Sequence, residues 1–467
     1  MRILIIQFVA SAQGRPGPQF SHDLGVAAAM LRQEGFDIAL AALNGYDGAL
    51  LRAAVNQHRP THVLIEVPPT RLTAAHHTIV DVAEKLFLPV IIVGRYATCQ
   101  PEQAISGPGV IVLVRGEYEH ALLRLFESLR DNPAWPEEIP GVWFNSEEGL
   151  IRNEPSPPVQ ELDSLPDPDR EIFHYGRAVA QTGEATFQAT RGCANWCAFC
   201  LNDWYISLYR DKGQYLRRRG VGRLLDEVDH VTARYDGVRT VTFCDHAFAT
   251  DAAWVEEFAT EYPRRCRLPC RCHVRLNALD QRIPELLARS GCRQVDVEIG
   301  SGSSFIREEV LALRTTRQEI ITGVDALKQA GLKVRGSVFV GAPYESEVSV
   351  EETLDLLATL QLHQVHPRVF YPLPGTRAAE MCAENGWISG RAEENFYSGH
   401  SVLDMPSLPS ARIDEIFRRY EALLRRRSGR SLRAWWQSLR TISTQPLHLF
   451  KRPRRPRLPH GPDRPWS

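Results

Sequence analysis

Apolar residues in the first 130 positions form short dense runs separated by stretches of helical spacing. RILIIQFV (2–9), FDIALAAL (36–43), THVLIEV (61–67), LPVIIVGR (88–95) and VIVLVRG (110–116) are almost continuous in apolar residues. Such runs read as strands buried on both faces. Between and after them, HDLGVAAAMLRQEG, ALLRAAVNQH, HHTIVDVAEKLF and EHALLRLFESLR place apolar residues three and four apart, the spacing of amphipathic helices. Strands alternating with helices predict a Rossmann-like, doubly wound α/β domain over residues 1–130. Ligands of such sheets sit at the carboxyl ends of the strands.

Residues 131–180 break the alternation. NPAWPEEIP, NEPSPPVQ and SLPDPDRE are Pro-rich and acidic, with a hairpin-like GVWFNSEEGLIRN between them, so this stretch reads as a linker. A second alternation then runs over 181–380. ATFQAT, VRTVTFCD, RCHVRL, QVDVEIG, KVRGSVFVG and PRVFYPLPG read as strands, with helical runs such as VGRLLDEVDHVTARY and RQEIITGVDALKQAG between them. Six strand–helix units predict a partial (β/α)6 barrel, an incomplete version of the eight-unit TIM fold with a lateral opening. Residues 381–428 read as a C-terminal helical segment, and 429–467 as a basic, disordered tail.

Composition adds a compartment and a charge split. The 467 residues are 43% hydrophobic and 24% charged, with no apolar run long enough to span a bilayer. Ten cysteines in a long chain without an export signal point to reduced thiols, metal chemistry and a cytoplasmic location. The net charge of −1 hides twelve Arg/Lys against one acidic residue from Arg425 onward, which leaves −12 on the rest. In SLRAWWQSLRTI, Leu432, Trp435, Trp436 and Leu439 share one helical face beside Arg430, Arg433 and Arg440. That pattern makes contact with an anionic membrane surface one reading, and a solvated tail the other. No basic groove studded with aromatics argues for nucleic acid.

The candidate chemistry lies in RGCANWCAFC (191–200), which follows the first barrel strand. Thiolates select soft metals, so zinc and iron–sulfur clusters are the candidates. Zinc sites usually add a second cysteine or histidine pair at matching spacing. The nearest other group, Cys266, Cys270 and Cys272, reads instead as strand and loop cysteines. Three sulfurs on a cluster of four irons leave one iron open to chelate a substrate.

CxxxCxxC with an aromatic before the last cysteine resembles the radical S-adenosylmethionine (SAM) enzymes. VTFCDHAF (241–248), CHVRLN (272–277), VEIGSGS (297–303), FVGAPYE (339–345) and YPLPGT (371–376) follow in the order of that family's landmarks, so the resemblance covers 184–380. It implies that Cys193, Cys197 and Cys200 ligate a 4Fe-4S cluster and that SAM occupies the fourth iron. One electron would then cleave SAM to a 5′-deoxyadenosyl radical. It also implies that Phe199 borders the adenine and that Asp245, Ser301 and Gly302 contribute to SAM binding. The family commonly reads Gly-x-Glu-Ser-Gly on the fourth strand, whereas this chain has Glu298-Ile299-Gly300-Ser301-Gly302. Glu298 is therefore either a displaced SAM contact or a barrel carboxylate paired with Arg275 or Arg335.

Residues 1–130 resemble the cobalamin-binding domain that precedes many such barrels, through PQFSHDLGVAAAMLRQEGFDI (18–38), VGRYAT (93–98), VRGEYEHAL (114–122) and the connector ELDSLPDPDREIF (161–173). The resemblance implies cofactor contacts at Gly94, Gly116 and Glu117. SHDLG (21–25) only looks like the Asp-x-His-x-x-Gly motif, so any cobalamin would lack a histidine lower ligand. Arg95 stands where the family has a second glycine. Methylthiotransferase relatives carry three further N-terminal cysteines, but this domain has only Cys99.

The implied activity is a cobalamin-dependent methyltransferase acting on an unactivated carbon of a small or lipid-like molecule, with a reductase or flavodoxin-type electron donor. Two alternatives are an oxidoreductase or cyclase without methyl transfer, and a non-catalytic cluster- and corrin-binding sensor. Asp245, His246, Tyr344 and Tyr371 line the expected barrel mouth without naming a substrate.

Overall fold

The computed structural model describes residues 1–9, 19–107, 109–136, 138–146, 148–277, 279–390 and 399–425. The tail readings, including Trp435 and Trp436, lie outside them.

The first sheet contains β1 (Arg2–Phe8), β2 (Asp37–Leu43), β3 (His62–Glu66), β4 (Val90–Val93), β5 (Val110–Val114), β6 (Val142–Ser146) and β7 (Gly149–Arg152). Its order is β2-β1-β3-β4-β5-β6-β7. The first five are parallel, and β6 and β7 add an antiparallel hairpin at the edge. The hairpin assigned to the linker thus extends this sheet, because Trp143 and Phe144 bury opposite sides against its two faces.

Sequence and burial agree closely here. Ile3 and Ile5 pack under the helices His22–Gln33 and Glu119–Asp131, while Leu4 and Ile6 pack on the opposite side with Leu51, Ala75 and Val82. A strand buried on both faces has no polar alternation to show. Between β4 and β5 the chain forms two short helices, Arg95–Cys99 and Pro101–Ile105, too brief to leave a periodic signal.

The second sheet contains β8 (Glu184–Phe187), β11 (Thr240–Phe243), β12 (Cys270–His273), β13 (Cys292–Gly300), β14 (Lys333–Val340) and β15 (Gln364–Val369), all parallel and in the order β15-β14-β13-β12-β11-β8. Between its first two strands, β9 (Thr190–Arg191) and β10 (Arg217–Arg218) pair antiparallel and bracket the cysteine loop. The α/β class, with a doubly wound sheet followed by a six-stranded partial barrel, is the one the sequence predicts. A helix, Ser410–Arg425, follows the barrel.

The linker is a structural joint. Arg170 donates to Glu227 at 2.6 Å and to the Thr186 carbonyl at 3.0 Å, and its guanidinium lies over Phe20, Tyr175 and Phe187. Arg219 shares the buried Glu227 at 2.5 Å. A buried carboxylate held by two guanidiniums is costly to disrupt, because removing one partner strands a charge. His22 of the SHDLG look-alike packs edge-on against Phe20 at this joint. Burial, reinforced by Arg170, pushes its pKa down to about 3, so the imidazole is neutral.

Candidate active site

The cysteine loop is fixed before its first cysteine is reached. Asp245, buried after β11, accepts from the Ala189 amide at 3.0 Å and from the Thr190 hydroxyl at 2.5 Å. Its role here is to brace the strand that launches the loop. Gly192 has φ +90, and a Cβ there would lie 2.2 Å from the Tyr215 carbonyl oxygen. Only glycine satisfies both the left-handed backbone and that approach.

The loop's carbonyls are then gathered by side chains. Asn202 donates to the carbonyls of Cys193 at 2.8 Å and Asn195 at 2.6 Å, and accepts from the Tyr215 hydroxyl at 2.6 Å. Arg377 donates to the Trp196 carbonyl at 2.7 Å, and the Ala198 amide donates to the Leu311 carbonyl at 2.9 Å. Asn202 is a site residue that sequence reading missed. Its helix, Asn202–Leu208, has only seven residues and no clear period.

All three thiols are free. Cys197 is buried, while Cys193 and Cys200 are partly exposed. Burial pushes the Cys197 thiol up to about 12, against the opposing charge of Arg275. Burial also raises Cys200, with Arg95 and Arg275 acting in the other direction. The Arg275 guanidinium lies 3.3 Å from Cys193 Sγ. Among the described residues, no group of three His, Cys, Asp or Glu side chains is gathered as a single ion requires. Zinc would draw its thiolates to about 2.3 Å from one centre. Three soft donors on one loop, with the Arg275 guanidinium against Cys193, suit an anionic iron–sulfur cluster.

The remaining predicted SAM residues divide. Phe199 packs edge-on against Phe339 with ring centroids 4.8 Å apart, forming an apolar wall beside Cys200. Glu298 ion-pairs with Arg368, and one of its oxygens accepts from the Gly300 amide at 3.2 Å. The expected partners differ because Arg335 is taken by Asp296, with Nε to Oδ1 at 2.7 Å, and Arg275 faces Cys193. Ser301 is fully buried, and its hydroxyl lies 3.2 Å from that of Thr353 on the helix Glu347–Leu360. The Gly302 amide donates to the same hydroxyl at 2.8 Å. A Cβ at Gly302 would stand 2.2 Å from the Glu352 carbonyl oxygen. Ser301 and Gly302 thus close the β13 corner onto a helix. Arg307, also fully buried, holds that corner by donating to the carbonyls of Ser301 at 2.9 Å and Thr315 at 2.6 Å.

The carboxyl edge of the first sheet faces this loop. The Gly116 amide donates to the Thr98 hydroxyl at 3.0 Å, and the Glu117 amide to the Tyr209 hydroxyl at 2.6 Å. Glu117 pairs with Arg217 at 2.5 Å and accepts from the Val159 amide at 2.9 Å. Arg191, two residues before Cys193, reaches Glu119 at 2.5 Å, Asp23 at 3.3 Å and Glu117 at 3.5 Å. Gly116 and Glu117 therefore join the two sheets' edges as well as lining them.

Gly94 lies against Glu66, whose pKa burial pushes up to about 7, with Asp23 raising it further and Arg95 opposing. Arg95 and Asp23 are exposed, with Asp23 3.3 Å from Arg191. Tyr118 Oη and Glu119 Oε2 are buried without a hydrogen-bond partner among the described residues. Unpartnered polar atoms beside open carboxylate and guanidinium groups fit a ligand rich in amide donors and acceptors.

Residues 187–357 match the model of the radical SAM superfamily. An uncharacterized methyltransferase of Pyrococcus horikoshii is 24% identical over 351 residues, which cover 73% of this chain and 74% of that protein. A tRNA-2-methylthio-N(6)-dimethylallyladenosine synthase of Aquifex aeolicus is 27% identical over 239 residues, and the chain spans 50% of its length. Among solved structures, the radical S-adenosylmethionine methyltransferase TsrM of Kitasatospora setae, with cobalamin and a [4Fe-4S] cluster bound, superposes with a TM-score of 0.64. Identity is 18%, with 84% of this chain and 79% of that one covered. The cobalamin-dependent S-adenosylmethionine radical enzyme OxsB superposes at 0.62 with 15% identity, covering 90% of this chain and 61% of that one. These likenesses place both sheets, in this order, in one known fold.

Proposed function

We propose that this chain, whose residues 187–357 match the radical SAM superfamily, is a radical SAM enzyme and a cobalamin-dependent methyltransferase acting on an unactivated carbon of a small or lipid-like molecule. The observation that carries the reading is the set of three free thiols, pinned at the carboxyl mouth of the six-stranded sheet and facing the carboxyl edge of a second parallel sheet. When bound, a 4Fe-4S cluster and cobalamin supply one-electron cleavage of SAM and a methyl donor.

The chain's own residues hold and shield these groups. Cys193, Cys197 and Cys200 would hold the cluster, and three sulfurs on four irons would leave one iron for SAM. Asn202, Arg377 and Asp245 keep the loop's carbonyls and launching strand occupied, so the thiols stay turned to the site. Phe199 and Phe339 exclude water on one side. Glu298 stands at the β13 corner as a carboxylate that SAM's amino group could share with Arg368. On the facing edge Gly94, Glu66, Arg95 and Asp23 would border the corrin, while His22 is neutral and packed at the joint.

A flavodoxin-type reductase is the matching electron donor. Among the described residues no helix is long and apolar enough to cross a membrane. Contact with an anionic membrane surface is assigned to the basic segment after Arg425. Unchanged liposome flotation on its removal would sink that assignment.

The function is tested by supplying SAM with a deuterated methyl group to the anaerobically reconstituted protein and a metabolite extract. Labelled methyl on a carbon of the product is expected. A dehydrogenated or cyclised product without label would instead support the oxidoreductase reading, and absorbance on adding hydroxocobalamin reports the corrin separately.

A further inference from the structure

Three guanidiniums on the polar face of the barrel sheet are neutralised by carboxylates: Arg271 by Glu184, Arg335 by Asp296 and Arg368 by Glu298. Arg275, just beyond β12, is different. Among the described residues no carboxylate forms an ion pair with it. Its contacts are the His246 carbonyl at 3.4 Å and Cys193 Sγ at 3.3 Å. The neighbouring imidazoles, His246 and His273, lie 4.6 Å apart, and burial depresses the pKa of both, so they add no competing charge near neutral pH. The guanidinium is thus a fixed positive charge whose unmatched N–H groups meet a cysteine sulfur.

We propose that Arg275 sets the reduction potential of the cluster held by Cys193, Cys197 and Cys200, favouring its reduced state; this rests on reading those cysteines as cluster ligands. Reduction adds one electron, and therefore one negative charge, to the cluster. A reduced flavodoxin-class donor loses that electron as the cluster gains it. A cation in contact with a ligating sulfur stabilises the more negative state more strongly, and hydrogen bonds to sulfur act in the same direction. No bond forms or breaks at Arg275. It is a positioning residue for charge, distinct from the three ligands.

The test compares the wild type with Arg275→Gln, Arg275→Lys and, as a control on the same face, Arg335→Gln. Each protein is reconstituted anaerobically, its iron is counted, and its cluster is titrated potentiometrically by electron paramagnetic resonance, first without SAM and then with it. Arg275→Gln is expected to lower the reduced-to-oxidised ratio at fixed potential about tenfold, equivalent to about 59 mV for a one-electron couple. Arg275→Lys keeps the charge but loses the planar fork, so it should fall between, and it decides the matter if the Gln variant does not fold. Arg335→Gln should match the wild type.

Equal potentials in the wild type and both Arg275 variants would overturn the inference. So would a shift seen only with SAM present, which would assign Arg275 to the co-substrate. A wild type that takes up no iron would contradict the underlying cluster reading instead.

Discussion

The two carboxyl edges that face each other in this molecule are built by opposite means. On the barrel side, the cysteine loop is pinned through its backbone: Asp245 braces the strand before it, Asn202, Arg377 and Leu311 occupy its amides and carbonyls, and of the three thiols Cys193 meets the Arg275 guanidinium. On the opposing side, the motif residues are themselves the connectors. Glu117 is spent on Arg217 and Val159, and the Gly116–Glu117 turn sits against Tyr209. At the barrel edge the scaffold and the candidate ligands are separate residues, whereas at the facing edge the same residues serve as lining and as connectors.

The sharpest break of this comparison is at the pinned edge. Cys197→Ala should reduce reconstituted iron from about four per chain to a non-specific background and abolish the cluster spectrum. Its unfolding midpoint without the cluster should change little by comparison.

At the other edge the order of effects should reverse. Arg191→Met strands the buried Glu119 without its cation. The cost should be about 3–5 kcal/mol, read as a lower urea midpoint in the cluster-free protein.

A smaller, pH-dependent effect belongs to Glu66. Its folded-state pKa is raised to about 7, mainly by burial. Below about 4.5 the carboxyl is protonated in both folded and unfolded chains and has no effect. As pH rises from there to about 7, only the unfolded chain releases the proton readily, so stability falls, and the penalty is constant above. Glu66→Gln should therefore be more stable than the wild type at pH 8 and indistinguishable near pH 4. Urea midpoints across that range check it.

The smallest expected effect is the most discriminating about the open iron. Cys99 is the one N-terminal cysteine, and its buried thiol is close enough to Cys200 for their charges to interact. Burial pushes it up to about 12, as it does the Cys197 thiol, so protonation alone does not separate the two and the iron count must. Cys99→Ala should keep the full iron content and the response to SAM. Loss of either would make Cys99 a fourth ligand.

The fold was largely legible because its signals are local. The two-sided strands RILIIQF and VIVLV, and the helical run that forms Arg317–Gln329, announce themselves in the chain. The edge hairpin β6–β7 was visible as a hairpin but not as part of the sheet, since pairing with β5 is a long-range fact. The cysteine spacing was visible, but the loop's supports were not, since Asn202, Arg377 and Asp245 come from three separate elements. The partner of Glu298 was missed for a geometric reason: Arg368 on β15 is two strands away and reaches it across the polar face.

The central claim is an iron that the protein leaves open for SAM. Reducing the reconstituted wild type and adding SAM labelled with oxygen-17 in its carboxylate tests it directly by electron–nuclear double resonance. The account predicts hyperfine coupling from that oxygen to the cluster in the wild type and in Cys99→Ala. A reduced cluster whose spectrum is unchanged by SAM would contradict it.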